Sequence, residues 1–402
     1  MTWPRQTDFL IIGGGIIGIS IALELAYRYP DNKIVVLEKE TGTGQHASGR
    51  NSGVLHAGFY YSADSHKARL SRAGNRELTE YCLERNLTIN RCGKLVVTRN
   101  EAELDGLNEL FYRGKTNQVD VKIISAIEAR EIEPRARTIK QALYSPTTAT
   151  VNPVEIIRSL TQDAQDLNVL FLTDCVFLDH DKSVVKTDRG KIEAGYIINT
   201  AGLYADQIAH GFGFANDFTM LPFKGLYLHA EENAQPLRCN IYPVPELKNP
   251  FLGVHLTVAS DGRIKIGPTA IPALWRENYR GLENFRLDEF REIIFTEARL
   301  FFSNQFNFRK MAWEEFGKMR KRKLVSLAAE LANDVNSRQF RKWGKPGIRA
   351  QLVNRKTWQL VMDFYFEGDD RSFHVLNAVS PAFTCALPFG RMVVDEIDNR
   401  VS

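Results

Sequence analysis

The chain has 402 residues, 44% hydrophobic and 25% charged, proportions that suit one large, well-buried globular fold. Its 52 basic and 48 acidic residues leave a formal charge of +4, too slight an excess to imply nucleic acid as a partner. The five cysteines (Cys82, Cys92, Cys175, Cys239, Cys385) are scattered, odd in number and lack a CxxC pair. That argues against an iron–sulfur cluster or zinc knuckle and suggests reduced thiols in the cytoplasm.

Asp8 to Ile12 predicts a short buried strand, followed by a glycine turn and a helix with apolar residues at Ile16, Ile17, Ile19, Leu23 and Leu25. Gly13, Gly14, Gly15, Gly18 and Glu24 interrupt this apolar run, which is also short for a membrane span. Lys33 to Leu37 is a second buried strand, ended by Glu38. Ser65 to Asn86 predicts a helix, Lys94 to Thr98 a strand and Glu101 to Gly114 an amphipathic helix. Pro153 to Leu167 is another helix, with Asn152 as its cap. Cys175 to Leu178 and Val184 to Thr187 suggest a hairpin turning near Asp181. Tyr196 to Thr200 is a strand that runs into Ala201-Gly202, ahead of a helical Leu203 to Gly211. Leu221 to Ile266 is rich in aromatic and β-branched residues and turns at Asp261-Gly262. Helices follow at Leu287 to Asn304 and Lys321 to Leu331. Strands are expected at Ile348 to Gln351, Leu360 to Phe366 and Phe373 to Leu376, with a closing helix from Phe383 to Ile397.

Gly13-x-Gly15-x-x-Gly18 follows a strand and opens a helix, and Glu38 ends the next strand. Gly13 allows the tight turn, Gly15 lets a pyrophosphate approach the backbone, and Gly18 permits close helix–strand packing. The helix start offers N–H groups and a positive dipole end to phosphates, and Glu38 can accept from a ribose diol. This is a dinucleotide fingerprint. FAD is favoured over NAD because the motif occurs once, and because Asn199-Thr200-Ala201-Gly202 offers a small-residue approach to the same cofactor. The fold class expected is α/β with an α+β insert: a Rossmann-like FAD-binding domain (1–90, 145–215 and 345–402) interleaved with a strand-rich substrate domain (91–144 and 216–344).

The segment His46-Ala47-Ser48-Gly49-Arg50-Asn51-Ser52-Gly53-Val54-Leu55-His56-Ala57-Gly58 resembles the D-amino-acid-oxidase-like flavoproteins. Within that family the chain is most similar to the L-2-hydroxyglutarate dehydrogenases/oxidases. Cys92-Gly93-Lys94-Leu95, Pro222-Phe223-Lys224-Gly225, Ile241-Tyr242-Pro243-Val244-Pro245 and Pro250 to Thr257 carry the likeness onward. So do Ile266-Gly267-Pro268-Thr269-Ala270, Gly347 to Gln351 and Asn377 to Ala382. Arg50 stands where the family usually has His, and Val379 departs from its N-A-P-S-P-A. The candidate FAD-binding residues are Gly13, Gly15, Ile16, Ile17, Gly18, Glu38, Lys39, Ser48, Arg50, Asn51, Ser52, Gly53, Val176, Ala201, Gly202, Ser380, Pro381 and Ala382.

The resemblance implies oxidation of an L-2-hydroxy acid, foremost L-2-hydroxyglutarate, with an amino-acid or N-methyl amino-acid oxidase as the alternative on the same fold. Oxidising a 2-hydroxy acid takes a carboxylate anchor, a base for the hydroxyl proton and a hydride acceptor. Arg349 is the anchor, since guanidinium offers a planar two-donor fork, and the resemblance puts it where related oxidases hold the substrate carboxylate. Lys224, in an apolar strand context, is a candidate to hold a second carboxylate or to sit against the flavin. His56 and His255 are the base candidates. The histidines show no metal-like spacing, so no metal is expected. A quinone, an electron carrier or oxygen would accept the electrons. The basic run Arg309 to Lys323, beside Phe295, Phe301, Phe302, Phe306, Phe308, Trp313 and Phe316, suggests peripheral contact with the inner face of a membrane.

Overall fold

The computed structural model describes residues 3–246 and 252–401, apart from the side chain of Phe306. Pro250 and Phe251, part of one segment that carries the family likeness, lie outside the described residues. The chain folds as two compact units. One is built from the chain up to Asn51, Pro153–Leu221 and the chain from Ala350 onward; the other from Ser52–Asn152 and Pro222–Arg349.

These boundaries differ from those expected chiefly in residues 52–90, which join the second unit. The reason is strand pairing: Val54–Leu55 and Ile89–Asn90 both run antiparallel to Ala149–Val151, on either side of it. The helix His66–Glu84 links these two strands and carries their pairing with it.

In the first unit, Leu170–Leu172, Ile34–Leu37, Gln6–Ile12, Gly190–Asn199 and Ser372–Asn377 lie side by side in parallel. Continuous apolar runs such as Ile34–Leu37, buried at every position, are what a sheet covered on both faces requires. Beside its pairing with Gln6–Ile12, the long Gly190–Asn199 strand serves two further neighbours. Its first half pairs with Val184–Thr187 of the expected hairpin, its last residues with Ser372–Asn377. The helix Ile16–Arg28 packs against the final helix, Ala382–Val401. Gly390 makes that approach possible, because a Cβ there would stand 2.8 Å from the Ser20 carbonyl oxygen.

The strand expected over Leu360 to Phe366 is two short ones, Gln359–Leu360 and Tyr365–Gly368. Between them the Asn377 amide donates to the Val361 and Asp363 carbonyls, so a side chain takes those groups in place of a ladder partner.

The second unit is organised by an eight-stranded mixed sheet in the order Phe340–Trp343, Leu228–Ala230, Ile264–Gly267, His255–Val258, Asn240–Pro243, Lys94–Val97, Gln141–Ser145 and Lys122–Ser125. Gly262, at φ +82°, makes the hairpin turn expected between two of these strands. One face is apolar: Leu95, Val97, Ile241, Leu256, Val258, Ile264 and Ile266 pack with Leu324, Val325 and Ala328 of the helix Lys321–Ala329. The helix Phe308–Lys318 was not anticipated. It buries Phe308, Met311 and Ala312 and leaves Trp313 and Phe316 exposed.

Gly390→Ala tests the helix contact. Overpacking at a closed approach costs about 1–3 kcal/mol, so the midpoint of urea unfolding should fall; an unchanged midpoint would mean the two helices do not meet there.

Candidate functional site

The glycine turn of the first unit is shaped by its neighbours. A Cβ on Gly13 (φ +113°) would lie 2.6 Å from the Thr200 oxygen, and one on Gly18 would lie 2.1 Å from the Gly13 oxygen. No larger residue fits either position. Gly15 differs: a Cβ there would meet only the Ser48 hydroxyl oxygen, at 3.1 Å. This is the open side of the turn, where the backbone is accessible to a phosphate. The Ser48 hydroxyl also accepts from the Ile16 N–H at 3.0 Å, at the start of the helix.

Glu38 is buried. One carboxylate oxygen accepts from Gly14 N–H at 3.0 Å and the other from Glu40 N–H at 2.9 Å. It therefore fixes the turn as well as facing it, and each oxygen retains a lone pair for a ribose hydroxyl. Burial pushes its carboxyl above the ordinary range, against the two N–H bonds. Cys175 N–H donates to the Glu38 carbonyl, which sets Val176 beside the acid; Val176 N–H is itself taken by Asp188. Ala201 N–H is held by Asn199, while Gly202 sits at φ +56° with open space where a Cβ would be.

Other candidates brace the loop. The Lys39 ammonium pairs with Glu40 and lies over the Tyr204 ring, Arg50 donates to the Gln45 carbonyl and Asn51 to the Ser48 carbonyl. Ser380 and Pro381 immediately precede the final helix, which begins at Ala382. The strand, open glycine turn, helix start and buried acid fit the ADP half of a dinucleotide. Ser52 and Gly53 belong to the second unit, where their carbonyls accept from Lys265 Nζ and from Val151 N–H.

The second cluster lies on the face of the mixed sheet opposite its apolar core. Register sets it out. Lys94 pairs with Asn240, Thr257 with Lys265 and His255 with Gly267, while the Ile241–Leu256 pairing puts Tyr242 across from His255. The two rings stack at 3.7 Å between centroids. The Lys94 ammonium stands 4.2 Å from the centroid of the same Tyr242 ring. With the imidazole covering one face, the ammonium occupies the other. His56 and His255 are both buried.

His255 Nδ1 lies 2.9 Å from the Gly253 carbonyl oxygen. A carbonyl only accepts, so Nδ1 carries the hydrogen and the neutral ring keeps its lone pair on Nε2. Burial, with smaller contributions from Lys94, Arg349 and Lys265, pulls His255 down to about 3. Burial, then Lys94 and His255, holds His56 well below its ordinary value. Both imidazoles are therefore neutral near pH 7. Burial also brings Lys94 down to about 7 and Lys265 to about 8.

The cluster thus brings together His56, His255 and Arg349 and adds Lys94, Lys265 and Tyr242. The Lys224 ammonium donates to the Asn278 side-chain oxygen at 3.1 Å. Lys94 and Lys265 stand outside the candidate residues named from the sequence. The available signal was alternation: Lys94-Leu95-Val96-Val97 and Ile264-Lys265-Ile266-Gly267 each put a lysine on the face away from the core.

The family of FAD-dependent oxidoreductases matches residues 8–396. L-2-hydroxyglutarate dehydrogenase of Escherichia coli O17:K52:H18 is 34% identical over 399 residues, 98% of this chain and 93% of the relative. Human mitochondrial L-2-hydroxyglutarate dehydrogenase is 33% identical over 416 residues, 98% of this chain and 89% of the relative. Among solved structures, L-α-glycerophosphate oxidase from Mycoplasma pneumoniae with FAD bound superposes with a TM-score of 0.78 at 23% identity, covering 98% of this chain and 95% of the other. Glycine oxidase from Geobacillus kaustophilus gives 0.73 at 19%, covering 99% and 96%. With the glycine cradle, the buried acid and a match along almost its whole length, the chain belongs to the FAD-dependent oxidoreductases of the D-amino-acid-oxidase family.

Proposed function

We propose that the protein oxidises L-2-hydroxyglutarate to 2-oxoglutarate. The observation that carries this reading is the polar face of the second unit. There, the charged groups bearing on His255 are Lys94, Arg349 and Lys265, all cations, around neutral imidazoles. Such a site suits an anion that must give up a proton. The relatives that match nearly the full length, at 33% and 34% identity, bear the name of this activity.

Bound FAD supplies the acceptor for the hydride that leaves C2. Gly13, Gly15 and Gly18 with the first helix would hold its pyrophosphate, and Glu38 its ribose. Arg349 binds the carboxylate next to the reacting carbon, as a bidentate fork. The His56–His255 pair takes the hydroxyl proton, and the fixed tautomer leaves His255 Nε2 able to receive it.

For the electrons' next step, a quinone or another carrier at a membrane surface is favoured by one observation. Phe295, Phe302 and Trp313 are 67%, 81% and 70% exposed on the helices Leu287–Ser303 and Phe308–Lys318. Phe316 is exposed with them, and Arg309, Lys310 and Arg320 to Lys323 are exposed nearby. Phe308 is core, and the Phe306 side chain lies outside the described residues. Among the described residues no helix is long and apolar enough to cross a membrane, so contact would be peripheral. Each cation near an anionic surface contributes ~1 kcal/mol.

Anaerobic mixing with L-2-hydroxyglutarate should bleach the flavin, whereas amino and N-methyl amino acids should not; the reverse pattern would replace this reading with amine oxidation. Arg349→Lys should lower kcat/KM by an amount equivalent to about 2–5 kcal/mol with FAD retained, and an unaltered kcat/KM would move the anchor elsewhere.

His56→Asn or His255→Asn should slow flavin reduction by roughly 10²–10⁴-fold. Because both folded values are depressed, the unprotonated base persists as the medium is acidified. At limiting substrate, where the free protein's values govern, flavin reduction should therefore not fall from pH 7.5 to below pH 6, and an acid limb centred at the ordinary histidine value would contradict the assignment.

Liposomes give the last check. Sedimentation with anionic vesicles should occur at low salt and weaken both at high salt and when Arg320 to Lys323 are neutralised. No binding at low salt would leave the aromatic patch without a membrane role.

A further inference from the structure

The polar face of the mixed sheet holds more donors than the reaction uses. The Lys94 side chain is fully buried, and its Nζ has no hydrogen-bond partner among the described residues. The buried Tyr60 hydroxyl has none either. The two side chains are neighbours: Lys94 Nζ stands 5.1 Å from the centroid of the Tyr60 ring, 5.5 Å from that of Phe59 and 4.2 Å from that of Tyr242. A buried ammonium brings three donors, and rings at these distances satisfy its charge in part but accept none of its hydrogen bonds in the ordinary sense. Leaving such a group unpaired is costly enough that an orphan of this kind calls for an acceptor from outside the chain. Within the same cluster the other charged neighbours are cations, so the missing partner is an anion.

We infer that Lys94 and Tyr60 form a second anion subsite, which receives the carboxylate at the far end of a dicarboxylic substrate. This rests on the proposed oxidation of L-2-hydroxyglutarate and extends it, since it makes the enzyme selective for a diacid. Arg349 holds the acid beside the reacting carbon. Lys94, across the Tyr242 ring from His255, holds the other and sets the length of substrate that reaches both. The value of about 7 for the Lys94 amine agrees with this role, because burial alone lowers it and a carboxylate at contact distance restores the charge.

Calorimetry on the oxidised holoenzyme tests the subsite without turnover, using glutarate and butyrate as probes. The wild type should bind glutarate the more tightly. Lys94→Met should erase that preference by on the order of 10²-fold, as a charge pair is lost from a buried site. Tyr60→Phe should weaken glutarate by about 10-fold through one missing donor to a charged group. FAD content reports folding. Should Lys94→Met fail to retain flavin, Tyr60→Phe alone decides the matter. Equal binding of the two acids by the wild type, or wild-type glutarate affinity in the variants that fold, would overturn the proposal. A wild type that prefers glutarate but does not oxidise L-2-hydroxyglutarate would overturn the proposed reaction and leave the subsite standing.

Discussion

The second unit depends on the register of four adjacent strands, Lys94–Val97, Asn240–Pro243, His255–Val258 and Ile264–Gly267. Side chains alternate across a strand, so packing one face decides what the other face presents. Here Leu95, Ile241, Leu256 and Ile266 are fully buried beneath the helix Lys321–Ala329. That apolar contact is what brings Lys94, Tyr242, His255 and Lys265 to one surface. A slip of one residue in any of these strands would send a lysine, an imidazole or Tyr242 into the apolar core and turn a leucine or isoleucine toward the site. The energetic cost of burying charge on the polar face is thus borne by hydrophobic packing on the other.

How much of this could be read in the sequence varies with how local each feature is. The glycine fingerprint was legible because its parts lie within thirty-odd residues and each has a steric reason. The contact of Gly18 with the Gly13 oxygen occurs inside a single turn. Glu38 was legible by position, though not in its second task of holding the turn through Gly14 and Glu40. Residues 52–90 were placed in the wrong company because nothing in Val54–Leu55 or Ile89–Asn90 announces that both will pair with Ala149–Val151. Pairings across sixty to a hundred residues leave no periodic trace.

The same limit explains Lys94. Read along the chain, it looks like the polar first residue of a short strand, a position that lysines often take at a sheet edge. Pairing on both sides, with Ser145 and with Asn240 some 150 residues away, makes it an interior residue. Its aromatic surroundings come from Phe59 and Tyr60 in one stretch and Tyr242 in another. The histidines were found for the opposite reason: their chemistry identifies them whatever surrounds them. What the sequence could not supply was the tautomer of His255, which follows from one carbonyl two residues away.

The charge balance of this face also bears on how a depressed histidine can serve as a base. An imidazole whose pKa stands near 3 is a weak base in the free protein. Part of that depression comes from Lys94, Arg349 and Lys265, and a diacid lying against those cations would offset their field. On the proposed reading, the substrate's own charge raises the basicity of the histidine that must deprotonate it. An acid with one carboxylate would offset less of that field and find a weaker base. Selectivity for a diacid would then be exerted twice, once in binding and again in proton removal, with both arising from the same three buried or half-buried cations.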